Sequence, residues 1–246
     1  MDSYLIDINA DVGEGLNNEL DLMPYLSSCN IACGGHAGDT KTMANVVRLA
    51  KMYNVKIGAH PSFPDTENFG RHIMDMPAAD LYASIKQQIR VLQKVLYDEN
   101  AQLHHIKPHG ALYNLAAKDE KTAKVIIEVI KSIALPISLY APYQSVMARL
   151  AKDENIKVTY EAFADRNYND DLSLVSRKEN NAILNDKDDV LSHLLRMIKH
   201  QNVRTISRVE VHIKASTFCV HGDTKNALEI LKYLTQELPK NKIQIQ

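Results

Sequence analysis

Short apolar or β-branched runs alternate along this chain with longer stretches of helical period, and that alternation restricts the fold to βα units around a mainly parallel sheet. Seven runs read as strands: Leu5 to Asn9, Ser27 to Ile31, Lys56 to Ala59, Leu103 to Lys107, Ile137 to Tyr140, Lys157 to Glu161 and Phe218 to Val220. Between them Met43, Val46, Val47 and Ala50 fall at i, i+3, i+4 and i+7, and Ala227, Ile230, Leu231 and Leu234 repeat that spacing, so each set lines one face of a helix. Asp39-Thr40 and Asp223-Thr224 stand just ahead of these helices as expected N-caps. Ala78 to Tyr97, Glu120 to Ser132, Pro142 to Ala151 and Asp186 to His200 supply the other helices. The polar segment Leu172 to Asn185 reads as an irregular excursion, Val209, Val211 and Ile213 as an additional exposed strand, and Gln244-Ile245-Gln246 as a frayed end.

The unusual polar residues collect at or just past the C-terminal ends of these strands: Asn9 and Asp11, Asn30 and His36, His60, Lys107 and His109, Glu161 and Asp165, His221 and Asp223. A closed βα barrel brings all such ends to one mouth, whereas an open doubly wound sheet brings together only the neighbours of its switch point. Contributions from six of the seven strands therefore argue for closure.

With 246 residues the chain fits one barrel domain, 1–246, and its ordinary 45% hydrophobic content suits a packed core. A formal net charge of -1 offers no basic field to nucleic acid, so a small-molecule partner is expected. No apolar run approaches the roughly 20 residues that span a bilayer, and Met1-Asp2-Ser3-Tyr4 has no basic leader character, so neither membrane insertion nor secretion is expected. The odd set Cys29, Cys33 and Cys219 suits a reducing compartment, and a cytoplasmic location follows.

Three Gly-rich phrases, Asp11-Val-Gly-Glu-Gly15, Ala32 to Asp39 and His109-Gly110, suit either tight βα turns or backbone N–H groups turned toward an anion. His36, His60, His109 and His221 lie in such strand-end phrases and suit proton transfer near neutral pH, while His72, His104, His193, His200 and His212 read as structural. Arg71 and Arg166 each offer a planar fork to a carboxylate or phosphate, or equally a scaffold pair with a nearby Asp. Lys107, just before Pro108, needs an anionic partner if it lies in a barrel mouth. Cys33 and His36 have C-x-x-H spacing, a weak signal alone, although Asp11, His36 and His60 could meet around an ion. No glycine is followed by lysine, so a G-x-x-x-x-G-K-[ST] phosphate loop is missing and any ATP is bound differently or by another chain.

The phrases Asp7-Ile-Asn-Ala-Asp-Val-Gly-Glu-Gly15, Asn30 to Asp39, Gly58-Ala-His-Pro-Ser-Phe-Pro-Asp65, Phe69-Gly-Arg71, Lys107-Pro-His-Gly-Ala-Leu-Tyr-Asn114, Glu161 to Tyr168 and Cys219-Val-His-Gly-Asp223 resemble the LamB/YcsF family in order and spacing. The chain departs from that pattern at Ile8, at Gly35 and at His72, where the family carries Leu, Phe and Arg. The resemblance implies an α/β fold, a distorted TIM-like seven-stranded barrel of the glycoside hydrolase/deacetylase-like superfamily. It also implies a place in a three-subunit 5-oxoprolinase that opens the lactam 5-oxoproline to glutamate at the expense of ATP, with partner subunits B and C. In that setting Asp11, His60, Lys107 and His109 are the catalytic candidates, and Asn9, Glu14, Asn30, His36, Arg71, Glu161, Arg166 and His221 the substrate-binding ones. ATP is a co-substrate whose site can lie on a partner subunit. Two rival readings remain: a metal-dependent amide hydrolase working without ATP, and a non-catalytic subunit that only captures the lactam or its phosphorylated form.

Overall fold

The computed structural model describes residues 3–246; Met1 and Asp2 of the leading segment lie outside the described residues. In chain order the elements are β1 (Tyr4–Val12), α1 (Glu19–Leu22), β2 (Ser28–Ala32), α2 (Thr40–Met52), β3 (Lys56–His60), α3 (Ala78–Asp98), β4 (Leu103–Ile106), α4 (Gly110–Ala116), α5 (Glu120–Ile133), β5 (Ser138–Pro142), α6 (Val146–Asp153), β6 (Lys157–Phe163), α7 (Lys187–His200), β7 (Asn202–Arg204), β8 (Glu210–His212), β9 (Thr217–Cys219), α8 (Ala227–Lys240) and β10 (Ile243–Ile245). Strands β1 to β6 pair in sequence, all parallel, and β9 pairs with both β6 and β1, which closes a seven-stranded barrel. All seven expected strands are present.

Strand β1 shows how the sequence serves both faces. From Ile6 onward every residue is buried, and the two faces differ in chemistry. Ile6, Ile8, Ala10 and Val12 belong to the apolar core. The alternate residues Asp7, Asn9 and Asp11 form a polar column with residues of other strands. Ser28 Oγ and Thr217 Oγ1 donate to Asp7 Oδ1 at 2.8 and 2.5 Å, Asn9 donates to Thr217 Oγ1 at 2.8 Å, and His105 lies 2.7 Å from Asn30 Oδ1 while stacking on Tyr140 at 3.8 Å. A period of two in a strand sends these groups to one side, and mutual bonding offsets the cost of burying them. Gly58 is required here, because a Cβ at that position would meet His105 Nε2 at 2.1 Å.

The helices carry the expected faces. Met43, Val46, Val47 and Ala50 are the buried residues of α2, whose first turn is capped by Asp39 accepting from Thr42 N–H at 2.7 Å. On α8 the buried set is Ala227, Ile230, Leu231, Leu234 and Leu238.

Three local expectations are corrected, and the additional exposed strand is found with a partner. The helix expected from Pro142 begins at Val146, because Pro142 ends β5 and Ser145 supplies the cap, accepting from Ala148 N–H at 3.1 Å. Asp223 and Thr224 do not cap α8, whose N-cap is Asn226; Asp223 takes Arg71 and Arg177 instead, and Thr224 donates to Asp165. The Val209 to Ile213 strand exists as β8 but is one half of an antiparallel ribbon with β7. The C-terminus is not frayed: β10 pairs parallel with the start of β1, and Ile243 is fully buried.

Candidate active site

Closure carries the strand ends Asp11, Asn30, His60 and Glu161, with Lys107, His109 and His221 just beyond, to one end of the barrel. A cleft of about 540 Å³ opens there, and Asp11, Glu14, His60, Lys107, His109 and His221 line it. Asp223 lines it as well, and the remaining strand-end candidates Asn9, Asn30, His36, Glu161 and Asp165 are buried.

Lys107 is the electrostatic centre. Only 2% exposed, its Nζ donates to Asp11 Oδ1 at 2.9 Å and Cys219 Sγ at 3.2 Å, lies 2.9 Å from Glu161 Oε1, and sits over the Phe163 ring at 5.2 Å. The anionic partner that the sequence demanded is thus a pair of carboxylates. Burial works against the ammonium, but the charges of Asp11 and Glu161 outweigh it and hold the Lys107 pKa well above the lysine range. Burial likewise opposes ionisation of Asp11, and His60 and Lys107 overcome it, holding that carboxyl well below the usual range. Asn9 and Asn30 fix the pair: Asn30 Nδ2 donates to Asp11 Oδ1 at 2.8 Å and to Asn9 Oδ1 at 2.7 Å, and Asn9 Nδ2 donates to Glu161 Oε1 at 3.0 Å. Tyr113 donates to Glu161 Oε2 at 2.8 Å, and its hydroxyl pKa is pushed well up by burial and then by Glu161.

Beside the ammonium, three histidines crowd around Glu14. His36 stacks on His109 with ring centroids 3.7 Å apart, and His60 meets both rings edge-on. His36 Nε2 donates to Glu14 Oε1 at 2.9 Å. Burial is the leading reason that the His36 pKa is lowered and that of His109 is lowered well below the histidine norm. The turn Phe69-Gly70, both residues at positive φ, seals this cluster; a Cβ at Gly70 would meet His109 Cδ2 at 2.9 Å. Ligand atoms of Glu14, His36, His60 and His109 all lie within 4.8 Å of one another. This differs from the expected meeting of Asp11, His36 and His60, because His36 turns to Glu14. Nor is Cys33 paired with His36: its Sγ is 3.0 Å from the Ile31 carbonyl, and burial pushes its thiol up to about 12, which removes it as a nucleophile.

At the rim Arg71 and Arg177 both donate to Asp223 Oδ2, at 2.8 and 3.1 Å, and both line the cleft. Arg166 also lines the cleft, and of the two roles open to it the scaffold one is visible: Nε and Nη2 donate to the carbonyls of Ala182 at 3.2 Å and Val175 at 2.6 Å, so it staples the irregular excursion down. His221 is held at Nδ1 by Asp165 Oδ1, 3.0 Å away, and Asp165 also accepts from the His221 N–H and from Thr224. Sequence reasoning overlooked Arg177, which nothing local distinguishes within the polar excursion, and His105. Tyr113 lay inside the Lys107 to Asn114 phrase without being singled out.

The sequence profile of the LamB/YcsF family matches residues 6–246. The A-type subunit of a 5-oxoprolinase from Haemophilus influenzae (strain PittEE) is 42% identical over 240 residues, 98% of each chain. Its counterpart from Alkaliphilus metalliredigens (strain QYMF) is 41% identical over 247 residues, covering 98% of this chain and 96% of that one. The crystal structure of a lactam utilization protein from Thermus thermophilus superposes with a TM-score of 0.91 at 33% identity, covering 98% of both chains.

Proposed function

This chain belongs to the LamB/YcsF family, and from that premise we propose that it is the barrel subunit of an ATP-dependent 5-oxoprolinase, opening 5-oxo-L-proline to L-glutamate. The observation that carries the reading is the 42% identity to the A-type subunit of a 5-oxoprolinase across 98% of both chains. The chemistry of the cleft supports it.

A lactam is a weak electrophile. Phosphoryl transfer from ATP to its oxygen, releasing ADP, makes the ring carbon reactive; water then adds, the C–N bond breaks to leave an acyl phosphate and a free amine, and a second water hydrolyses the acyl phosphate to carboxylate and phosphate. That sequence needs a cation beside the phosphorylated oxygen, an acceptor for the water proton, and an anchor for the substrate carboxylate. Lys107 supplies the cation, fixed by Asp11 and Glu161. His60 and His109 are acceptors on the cleft, and His221, oriented by Asp165, is a third. Arg71 and Arg177 supply the anchor in the manner of a guanidinium fork. Asn9, Asn30 and Tyr113 position the ions, and Glu14 and His36 position His109.

No glycine precedes a lysine in this chain, so the reading places the nucleotide on partner subunits of the kind named B and C, in the cytoplasm. The test is turnover of 5-oxoproline with ATP by this chain alone and after mixing with such partners. Glutamate formation is expected only from the mixture, and robust lactam hydrolysis by the isolated chain without ATP would overturn the reading.

A further inference from the structure

Two imidazoles face each other in the cleft, and as neutral rings they present each other with the wrong atoms for a hydrogen bond. His60 Nδ1 lies 2.7 Å from the Lys107 carbonyl, which can only accept, so Nδ1 carries an N–H and in the neutral ring Nε2 carries the lone pair. His109 Nε2 lies 2.9 Å from the Phe69 carbonyl, so its N–H is at Nε2 and Nδ1 carries a lone pair. Those two lone-pair nitrogens are 2.9 Å apart. Carboxylate oxygens crowd the same gap: Glu14 Oε1 is 3.4 Å from His109 Nδ1 and 3.9 Å from His60 Nε2, and Asp11 Oδ2 is 3.2 Å from His60 Nε2. Acceptors thus converge from four side chains, where a proton is held by two.

From this geometry we propose that His60 Nε2, His109 Nδ1 and the Glu14 carboxylate bind one divalent transition ion of the zinc class, with a further coordination position open to the cleft. Bonds of about 2.0–2.1 Å at tetrahedral angles set neighbouring ligand atoms roughly 3.3 Å apart, and the separations of 2.9, 3.4 and 3.9 Å bracket that value. The outer contacts are those that metal-bound imidazoles use, since each ring gives its other N–H to a backbone carbonyl and is thereby fixed in tautomer and direction. His36 supports the carboxylate in the same way through its bond to Glu14 Oε1, and its Nδ1 is buried without a partner. Charge agrees as well: Asp11 and Glu161 share the ammonium of Lys107, Glu14 has only imidazoles against it among the described residues, and a dication would balance the excess carboxylate charge. The neighbouring group Asp11, Cys219 and His221 is no rival site, because the Lys107 ammonium already lies against Asp11 and Cys219. With His60 and His109 engaged as ligands, His221 is the imidazole left to move a proton.

The site stands on geometry and does not depend on which amide the cleft accepts, so it is tested by binding and not by turnover. The full chain, stripped with chelator at neutral pH, is titrated with zinc chloride and separately with cobalt chloride, and the bound metal is quantified by elemental analysis. One saturable ion per chain is expected, with a visible d–d absorption for cobalt. His60→Gln, His109→Gln and Glu14→Gln should each weaken binding by at least about tenfold, the scale that even outer-shell changes produce. Glu14→Gln keeps the side-chain volume in a partly exposed turn, so it reports even if a histidine variant fails to fold; circular dichroism identifies the folded ones. Absence of stoichiometric binding by the folded parent, or unchanged affinity in every folded variant, would overturn the site and show that a shared proton fills the gap.

Discussion

Lys107 keeps an ammonium almost out of contact with water, and it is tolerated there because two carboxylates, a thiol and an asparagine oxygen replace its hydration shell. Its removal should therefore cost more than its own contacts. Lys107→Met leaves Asp11 and Glu161 buried without a counter-ion, and a loss of about 3–5 kcal/mol in unfolding free energy is expected, the usual scale for breaking a buried pair from one side. Asp11→Asn in the same chain removes one of the stranded charges and should recover part of that loss, a coupling that a double-mutant cycle in urea measures. A single variant as stable as the parent would show that the ammonium is not balancing those carboxylates.

Among the elements, β10 is the one whose role reverses the reading of its sequence. Three residues, Ile243 to Ile245, extend β1 in parallel register, pairing with Tyr4 to Ile6, and Ile243 enters the core while Gln244 and Gln246 look outward. Ile243→Ala should destabilise the protein by roughly 2–5 kcal/mol, as buried Ile-to-Ala changes do. Chemical unfolding checks it, and an unchanged midpoint would restore the frayed end. The excursion after β6 shows the opposite relation: read correctly as irregular, it is nevertheless pinned by Arg166 to the Ala182 and Val175 carbonyls, which brings Arg177 to the cleft.

For the whole molecule, burial lowers the pKa of His36, His105, His109 and His193, with His193 brought from 6.5 to about 4. A histidine depressed in the fold binds its proton in the unfolded chain first. Its neutral form costs nothing above pH 6.5, and stability is lost progressively as pH falls from there toward the folded pKa. For His193 alone the full loss by pH 4 is about 3 kcal/mol. The unfolding free energy should accordingly decline between pH 6.5 and 4, and His193→Phe should flatten that decline. Urea titrations at three pH values decide it; a variant as acid-sensitive as the parent would remove His193 from the cause.

What the sequence by itself determined was periodicity and placement. Seven strands, the buried faces of α2 and α8, and the polar residues at strand ends follow from alternation and from 3.6-residue spacing, which are local properties of the backbone. Barrel closure was also legible, because only closure brings Asp11, His60, Lys107 and His109 to one mouth. The tertiary structure alone decided who bonds to whom. Whether Arg166 faces a ligand or a carbonyl, whether Asp223 caps a helix or clamps two arginines, and which nitrogen of His60 meets which nitrogen of His109 depend on distances between residues far apart in sequence. Hydrogen bonds and ion pairs act over a few ångströms in space, and a sequence orders residues only along the chain.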